Sequence, residues 1–301
     1  MSLPEKTTIT ARFREIQTQI ISRLEETDAV GKFIREPWTR EEGGGGLTCI
    51  MQGGRIIEKG GVNFSEVYGQ LPDKIRKALA VESSGFYATG VSIVLHPGNP
   101  HIPIIHMNIR YFELDSGEYW FGGGIDLTPH YIIPEQAREF HQKLKDTCDH
   151  HHPEFYPRFK KWADDYFFIR HRNETRGIGG IFFDRLNESY GSISKERIFH
   201  FVCDVGNTFA PIYCKLMQQN AGKTFSEDQK RWQFLRRGRY VEFNLVYDKG
   251  TKFGLDTGGR IESILMSLPS QANWEYNMVP SPGSQEEYTL QNLIKEKDWL
   301  K

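Results

Sequence analysis

The chain has 301 residues, of which 38% are hydrophobic and 13% aromatic, enough to bury a sizeable core. Its 38 Lys and Arg residues nearly balance its 39 Asp and Glu residues, giving a net charge of -1. This balance excludes a global field that would attract nucleic acid or an anionic membrane, so any recognition of an anion must be local.

Signals for export or membrane insertion are missing from the sequence. The four cysteines form no CxxC pair, and the N-terminal segment has no secretory apolar region, which favours reduced thiols. The same segment carries acidic residues and lacks the Arg-rich character of a transit peptide. No apolar run is long enough to span a bilayer. We therefore expect a cytoplasmic protein with no transmembrane segment and no nucleic-acid partner.

The first half of the chain is predicted to form one helix followed by strands. Residues 7–28 carry apolar side chains at helical spacing. The run Gly43–Gly46 lacks the ending of a phosphate-binding loop and is interpreted as a mobile loop. Short apolar runs on either side of Gly53-Gly54 predict a hairpin. Further strands are predicted over residues 86–95, 104–113 and 118–126.

The second half is predicted to contain more helix than strand. A capping-box spacing between Ser226 and Gln229 marks the start of one helix. The predicted helices cover 134 to about 150, 154–171, 195–219, 226 to about 237, and 284–299. The predicted strands cover 179–185, 240–247 and 261–266.

This order of elements predicts the fold class. Several strands are joined by hairpin-length turns, and helices lie before, between and after them. That order favours an α+β fold with an antiparallel sheet of about seven strands over a doubly wound parallel sheet. No internal repeat or linker is visible, so residues 1–301 are expected to form a single domain.

One predicted strand, 104–113, carries an unusual row of polar residues. Its apolar residues from Ile105 to Tyr111 alternate with His106, Asn108 and Arg110, so the two sets face opposite sides of a sheet. An imidazole, an amide and a guanidinium in one row differ from an ordinary solvated face. The row is therefore a candidate site.

The following loop predicts which residues face this row across the next strand. A three-residue hairpin loop with Gly117 last would pair residues whose numbers sum to 232. The predicted pairs are Arg110 with Gly122, Asn108 with Gly124, and His106 with Asp126. Glycines inside a strand indicate either close approach of a flat ligand or a bulge, and both readings stay open.

Three arginines lie next to predicted strands and glycines, namely Arg110, Arg176 and Arg260. Each alone is most often a solvated charge or an ion-pair partner. Side chains at such positions can point into a shared concavity, where the planar guanidinium favours bidentate binding of carboxylates. A ligand with several carboxylates would suit them.

Histidines offer two kinds of chemistry. His106 is a candidate acid or base that Asp126 would orient, and a purely structural hydrogen bond between the two residues stays open as the alternative. In principle a metal could be bound by His96, His106, His141 and His171. These histidines show neither HxH nor HExxH spacing, so the signal is weak. For His141 a position in the core is the simpler interpretation. The tract from His150 to His152 is interpreted as a solvated cap at the end of a helix, not as a metal tract.

Several long segments resemble one enzyme family. They are GGGG…GGVNFSEVYG, HPGNPHIPIIHMNIRYFE, WFGGGIDLTP, YPRFKKWADDYFFIRHRNETRGIGGIFFD and RGRYVEFNLVYDKGTKFGLDTGGRIESILMSLP. Together they are similar to the oxygen-dependent coproporphyrinogen III oxidases from about residue 8 to residue 301. These runs are far more specific than any short motif above.

The resemblance implies an activity and an assembly. The family converts the ring A and ring B propionates of coproporphyrinogen III to vinyl groups by oxidative decarboxylation, giving protoporphyrinogen IX with O₂ as oxidant. The implied fold is a flat antiparallel sheet sandwiched between helices, in a homodimer. No organic cofactor is implied, and a divalent metal, although proposed for the family, is not expected to be required. The start of the chain close to its first helix favours a cytosolic member.

The resemblance also implies roles for particular residues. His106 resembles a proton donor, Ser92 a substrate contact, and Asp126 an acidic residue that interacts with pyrrole nitrogens. The predicted catalytic residues are thus His106, Asp126 and Arg110. Arg176 resembles a residue needed for propionate binding or for structure. The remaining substrate-lining positions implied by the resemblance are Asn108, Ile109, Arg110, Gly258, Gly259 and Arg260.

Two further implications concern metals and assembly. The positions of the proposed metal ligands in the family correspond here to His96, His106, His141 and His171. Residues from about 236 to 271 resemble a dimer-forming region, to which residues 43–52 are expected to contribute. Two other functions compete with the oxidase, namely a metal-dependent oxygenase that uses these histidines and a tetrapyrrole carrier without catalysis.

Overall fold

An antiparallel sheet forms the centre of the computed structural model, which describes residues 4–71, 76, 82, 84–191, 193–256 and 259–301. The strands found in these ranges are β1 (Ile34–Thr39), β2 (Gly44–Gln52), β3 (Ile57–Gln70), β4 (Gly85–Pro97), β5 (Ile104–Leu114), β6 (Tyr119–Thr128), β7 (Phe168–Ile169), β8 (Glu174–Thr175) and β9 (Gly180–Leu186). The central sheet has seven strands in the order β1-β2-β3-β4-β5-β6-β9, and β7 pairs only with β8. Strands β1 to β6 therefore form a meander in which each strand pairs with the next.

Helices lie on both sides of this sheet and along its β9 edge. The helices in the described ranges are α1 (Lys6–Asp28), α2 (Pro134–His151), α3 (Phe155–Tyr166), α4 (Lys195–Asn220), α5 (Glu227–Val246), α6 (Lys249–Asp256), α7 (Ile261–Leu265) and α8 (Gln285–Asn292), with a 3₁₀ turn at Arg170–Arg172. No helix in these ranges combines the length and the apolar character needed to cross a membrane.

One face of the sheet is covered by a helical layer in which α1 and α4 take the central place. The apolar residues of β5 that begin with Ile105 are fully buried there, and they belong to one large apolar cluster. Gly206 of α4 allows close packing, because a Cβ atom at this position would lie 3.0 Å from Ile109 and 3.1 Å from Ile16. This layer holds β5 in place and turns its polar row to the other face.

The opposite face is covered at one end only by the described helices. A small apolar cluster joins Val94 and Ile104 of the sheet to Tyr240 of α5 and Met266, which follows α7. Between this cluster and a second apolar cluster around Leu114 and Trp120, the face carries half-buried small or polar residues. They are Ser65, Gly90, Ser92, Asn108 and Arg110, and we call them the floor.

Many predicted elements are confirmed. The predicted fold class, α+β with an antiparallel sheet of about seven strands, is correct. The first helix, the hairpin at Gly53-Gly54 and the long helix over 195–219 lie where the pattern placed them. The capping box of α5 is present, since the Ser226 side chain accepts from the Gln229 backbone and the Gln229 side chain accepts in return. The single-domain assignment over 1–301 stays a prediction.

Two predicted strands are helical. Residues 240–247 continue α5 to Val246, and residues 261–265 form the short helix α7. The run YVEFNLVY has high strand propensity, but Tyr240, Phe243 and Asn244 are the buried residues of its segment and have helical spacing. Gly238 lies inside α5 just before this run and does not end the helix, so tertiary packing overrides local propensity.

Other boundaries also differ from the prediction. The helix predicted over 154–171 ends at Tyr166 and is followed by the short β7, and the C-terminal helix covers Gln285–Asn292 only. The edge strand β1 was missed, because its exposed residues show no apolar alternation. Gly44 to Gly46 lie in β2, where carbonyl groups of the neighbouring strands leave no room for a Cβ atom.

Candidate active site

The polar row of β5 lies along one side of the floor, on the face opposite the helical layer, as the alternation predicts. His106, Asn108 and Arg110 are half-buried, while the intervening residues are buried in the helical layer. The predicted register is also confirmed, with His106 opposite Asp126, Asn108 opposite Gly124 and Arg110 opposite Gly122. The two neighbouring strands thus place an acid and two glycines beside the row.

The glycines of β6 make room for protein side chains. A Cβ atom at Gly122 would lie 2.6 Å from Nε of Arg110 and 2.7 Å from Oδ1 of Asp184. Arg110 therefore crosses β6 above Gly122 and donates from Nη2 to Asp184 of β9 at 2.8 Å. The bulge in this region lies between β6 and β9, and the pairing of β5 with β6 is regular. Besides a flat ligand or a bulge, the space needed by the Arg110 side chain is thus a third reason for a glycine at position 122, and the sequence did not reveal it.

A buried ion pair lies beneath His106. Both oxygens of Asp126 accept from Nη2 of Arg176, at 2.8 and 2.7 Å, and Oδ1 also bonds Nδ1 of His106 at 2.8 Å. Burial alone would raise the pKa of Asp126, but the Arg176 charge and the His106 hydrogen bond lower it below its ordinary value. Asp126 is therefore an ionised carboxylate that fixes the orientation of the His106 ring.

Arg176 is enclosed on all sides. Its guanidinium also donates to Oδ1 of Asn244 at 2.9 Å and lies 4.3 to 4.7 Å from the ring centres of Phe167, Tyr240 and Phe243. Only 3% of this residue is exposed. The geometry therefore supports the structural half of the prediction for Arg176, and a direct contact with a ligand would require this core to open.

His106 presents one ring nitrogen to the floor. Its Nδ1 is occupied by Asp126, whereas Nε2 makes no hydrogen bond with any residue that the structure describes. The ring packs edge-on against Phe167, with 6.2 Å between ring centres, and 22% of its side chain is exposed. Nε2 is thus the atom of this cluster that can reach a ligand.

The three predicted arginines do not share one concavity. Arg260 follows Gly259 at the opposite side of the floor, where its Nη2 donates to Glu36 of the edge strand β1 at 2.5 Å. Four strand spacings separate β1 from β5, or roughly 19 Å. With Arg176 buried, the expectation of a common cluster is wrong. Arg110 and Arg260 instead lie at opposite sides of the floor.

The loop and helix around Arg260 form a wall of the floor. Ser263 of α7 bonds Oγ1 of Thr48 at 2.8 Å, and its carbonyl accepts from Asn63 at 3.3 Å, so α7 lies on the same face over β2 and β3. Gly258 lies outside the described residues.

The two remaining residues predicted to contact the substrate, Ser92 and Ile109, lie on opposite faces of the sheet. Ser92 of β4 is paired with Asn108 and belongs to the floor. Ile109 is fully buried in the helical layer, so its side chain cannot line the same surface. Its place between Asn108 and Arg110 in the sequence explains the error, since alternate residues of a strand face opposite sides.

The four histidines predicted as metal ligands lie in separate environments. His96 is buried with Nε2 on the Ser267 carbonyl at 2.8 Å, and His141 is buried between Tyr156 and the Ile178 carbonyl. Burial lowers the pKa of His96 to about 3 and that of His141 to about 4. His171 bonds Glu242 and Tyr247 outside the core. These four residues do not fit a common metal site, whereas the core position expected for His141 is confirmed.

Comparison with known proteins assigns the family. The family model described as Coproporphyrinogen III oxidase matches residues 8–299. The oxygen-dependent coproporphyrinogen-III oxidase of Drosophila melanogaster is 48% identical over 300 residues, covering 95% of this chain and 76% of the fly protein. The chain belongs to the coproporphyrinogen III oxidase family. Relatives from a plant and a mammal agree with this assignment.

Both of these coproporphyrinogen III oxidases match almost the whole chain. The chloroplastic oxygen-dependent enzyme of Glycine max is 48% identical over 313 residues, covering 98% of this chain and 80% of its own length. The mitochondrial enzyme of Homo sapiens is 48% identical over 310 residues, covering 98% of this chain and 67% of its own length. The similarity therefore includes the floor, its α7 wall and the helical layer.

Sequence reasoning about this oxidase missed several residues around His106. Phe182 of β9 faces Gly124 and stacks on Tyr166, with ring centres 4.2 Å apart. The Tyr166 hydroxyl donates to Asp248 at 2.8 Å. Burial alone would raise the pKa of Asp248, but bonds from Thr251 and Tyr166 and the nearby His106 lower it. Asp248 was hidden because it follows a segment predicted to be a strand.

Proposed function

We propose that the floor binds coproporphyrinogen III and that His106 meets the substrate there. The chain is an oxidative decarboxylase that uses O₂ in haem or chlorophyll biosynthesis, as its family membership implies. The observation that carries the site assignment is His106 itself. It is a partly exposed imidazole, held from below by a buried ion pair, beside the small and polar residues of the floor.

The surface suits a broad, flexible tetrapyrrole with four carboxylates. Gly90 and Ser65 carry little side-chain bulk, and Ser92 and Asn108 can form hydrogen bonds beside His106. Phe182 and Tyr166 supply an apolar wall for pyrrole rings.

Arg110 is proposed to bind a propionate. Its partner Asp184 has a side chain that is 38% exposed, and exposed ion pairs of this kind contribute little to stability. A propionate can therefore replace Asp184 as partner, with the planar guanidinium offering two donors. Arg260, whose partner Glu36 is also exposed, is proposed to bind a second carboxylate across the floor.

Asp126 is proposed to act through His106. The sequence predicted that Asp126 itself accepts or hydrogen-bonds the pyrrole N–H protons. Its side chain is 2% exposed and both oxygens are occupied, which argues against that contact. Asp126 is thus a positioning residue, and the imidazole of His106 is the group that holds or moves a proton at the substrate.

The reaction proposed at this site balances without another reductant or oxidant. Each propionate loses CO₂, one proton and two electrons to become a vinyl group, and O₂ accepts the electrons and takes up protons. Pyrroles are electron-rich and can react with O₂ directly, so no organic cofactor is included in the proposal. A metal is not included either, because His96, His106, His141 and His171 do not converge.

Oxygen uptake tests the function and separates it from both rivals. Chelator-treated protein, checked by elemental analysis, should consume O₂ only when coproporphyrinogen III is added, and vinyl-bearing product should appear only when O₂ is present. A carrier would bind the tetrapyrrole without oxygen uptake. A metal-dependent oxygenase would lose activity with its metal and regain it on metal addition.

The assembly proposed for this chain is a homodimer that uses residues 236–271, with a contribution from 43–52. Exposed apolar side chains in the first segment support the proposal, since such patches favour burial against a partner. They are Leu245, Val246, Leu255 and Ile261. Sedimentation should give a dimer for the parent chain and a monomer for Ile261→Glu. Val30→Glu, at an exposed position outside both segments, is the control that should remain dimeric.

The cytoplasm is the compartment proposed for this chain. Four unpaired cysteines, three of them buried, are compatible with a reducing compartment. The soybean and human relatives are named as chloroplastic and mitochondrial, so the compartment differs between relatives. Fractionation of cells that produce the natural protein tests this proposal.

A further inference from the structure

A second cluster of ionisable residues lies in the helical layer, away from the floor. The end of α2 meets the middle of α4 there, beside a pocket of about 350 Å³. Two of the three residues of the histidine tract contribute to it. Its ionisable lining residues are Arg12, His150, His151, His200, Cys203 and Asp204.

Three of these side chains converge. Nε2 of His151 lies 2.8 Å from Oδ2 of Asp204, and one ligand atom each from His150, His151 and Asp204 lies within 4.8 Å of the others. His151 is 5% exposed, and its ring packs against Phe201 with 5.6 Å between ring centres. The solvated cap expected for the whole tract is therefore wrong for His151, which turns inward to the carboxylate on α4.

We propose that this cluster is a binding site for a divalent transition metal, with Zn²⁺ as the best-suited ion. The ligands are one ring nitrogen of His150, Nε2 of His151 and the carboxylate of Asp204. Zn²⁺ takes imidazole nitrogen and carboxylate oxygen in tetrahedral sites. Three protein ligands leave one position for water or for His200, which lies one helical turn before Asp204 and lines the same pocket.

The site can close around an ion with small movements. Bonds of about 2.0 Å put tetrahedral ligand atoms roughly 3.3 Å apart, so no separation between ligand atoms must shrink by more than roughly 1.5 Å. His150 is exposed and the Asp204 side chain is 45% exposed, so both can rotate toward the fixed His151. Binding breaks the hydrogen bond from His151 to Asp204, and the imidazole proton moves to Nδ1 as Nε2 coordinates the metal.

Two arginines oppose binding, namely Arg12 and Arg197, whose Nη2 donates to the His150 backbone carbonyl at 3.4 Å. Arg12 lines the same pocket, but its guanidinium donates to Glu15 at 2.8 Å and to Asn207 at 3.3 Å. The carboxylate of Glu15 offsets part of its charge. The Asp204 carboxylate and the two imidazole rings are ligand groups that favour a cation at the centre of the cluster.

The position of the site determines its effect. A metal there joins α2 to α4 on the side of the sheet opposite the floor, so it should stabilise the fold without entering the reaction. Metal found in the purified protein would therefore not by itself indicate a metal-dependent oxygenase. The inference does not depend on the proposed function.

Zinc titration of the chelator-treated full chain tests the proposal. Calorimetry should show one Zn²⁺ bound per chain, and Co²⁺ should give the visible absorption of a tetrahedral complex. Because each removes a ligand, His150→Ala and Asp204→Asn should each weaken binding at least about 10-fold. His152→Ala, the neighbouring residue of the same tract, and His171→Ala, on the other side of the sheet, are controls that should bind as the parent does.

Thermal unfolding gives a second readout. Saturating Zn²⁺ should raise the midpoint of the parent chain and of both controls, because a ligand that binds only the folded state stabilises it. His150→Ala and Asp204→Asn should show a smaller rise or none. The proposal is overturned if the parent chain binds no Zn²⁺, or if the first two variants bind it unchanged. Loss of binding in His171→Ala would also overturn it, by assigning the metal to the other side of the sheet.

Discussion

Replacing Asp126 with asparagine tests whether this carboxylate acts through His106. Asparagine keeps the size of the side chain and one carbonyl oxygen, but it removes the charge and directs an amide toward its partners. Those partners are His106 and the guanidinium of Arg176, both within 2.8 Å. The substitution therefore leaves a buried arginine without its counter-charge and an imidazole without its orienting carboxylate.

Two magnitudes follow from this geometry. Removing one partner of a buried ion pair costs about 3–5 kcal/mol. Typical folded domains have about 5–15 kcal/mol of stability in all, so the variant should unfold at clearly lower urea concentration. Loss of a positioned acid or base slows a reaction by about 10²–10⁴-fold, and kcat should fall within this range if His106 loses its orientation.

Urea unfolding and oxygen uptake measure the two effects separately, at a temperature where every variant is folded. Asp184→Asn is the matched control for stability, because Asp184 is also paired with an arginine but is 38% exposed at its side chain. Its cost should stay below about 1 kcal/mol. His106→Ala should lower kcat to a similar degree as Asp126→Asn, with a smaller loss of stability since it retains the ion pair.

The double variant decides how Asp126 acts. If Asp126 works through His106, adding Asp126→Asn to His106→Ala should slow the reaction no further. An additional loss in the double variant, as large as that of Asp126→Asn alone, would mean that Asp126 acts on the substrate independently of His106. Near-normal turnover of Asp126→Asn would remove Asp126 from the proposed mechanism, and near-normal turnover of His106→Ala would remove His106.

Two further predictions concern the floor and the core. Gly122→Ala should displace Arg110 and lower kcat/KM by about 10- to 100-fold, which corresponds to the loss of one charge-assisted hydrogen bond. Gly222→Ala is the control and should leave kcat/KM unchanged, because Gly222 has open space around it. An unchanged Gly122→Ala would contradict the role of Arg110. Burial holds the pKa of His96 near 3 and that of His141 near 4, below the value of about 6.5 in the unfolded chain. Below about pH 6.5 the unfolded chain therefore binds more protons than the folded chain, and the two residues contribute their full stability only above that pH. Stability should fall as the solution is acidified, by about 4 kcal/mol between pH 7 and pH 5 for the pair, and urea unfolding that is equal at both pH values would refute this.

The fold was predictable wherever one local rule dominated. The loop ending in Gly117 fixed the pairing of β5 with β6, and Gly117 indeed has a positive φ of 87°. Helices with a wide apolar stripe, such as α1 and α4, were found for the same reason. Residues 240–247 were not, because their strand propensity is overridden by the burial of Tyr240 and Phe243 on one side of a helix.

The site was predictable as a row but not as a set of partners. Alternation alone identified His106, Asn108 and Arg110, and the register added Asp126. No local pattern could show that Arg176 is buried against Asp126, because the two residues are 50 positions apart in sequence. The same limit applies to the cluster at His151, whose carboxylate partner lies 53 residues further along the chain.

The burial of each member of the row and of its partners assigns their roles. A group that touches the substrate must have accessible atoms. Asp126 and Arg176 are buried and lack them. The residues of the floor side that have accessible atoms are His106, Arg110, Ser92 and Asn108. A buried, ionised carboxylate that is bonded to both a guanidinium and an imidazole is suited instead to fix one ring orientation. The two buried residues should therefore control the geometry of His106, and substitutions there should change kcat more than KM. Substitutions at Arg110 should change KM as well, because its guanidinium is proposed to bind the substrate carboxylate itself.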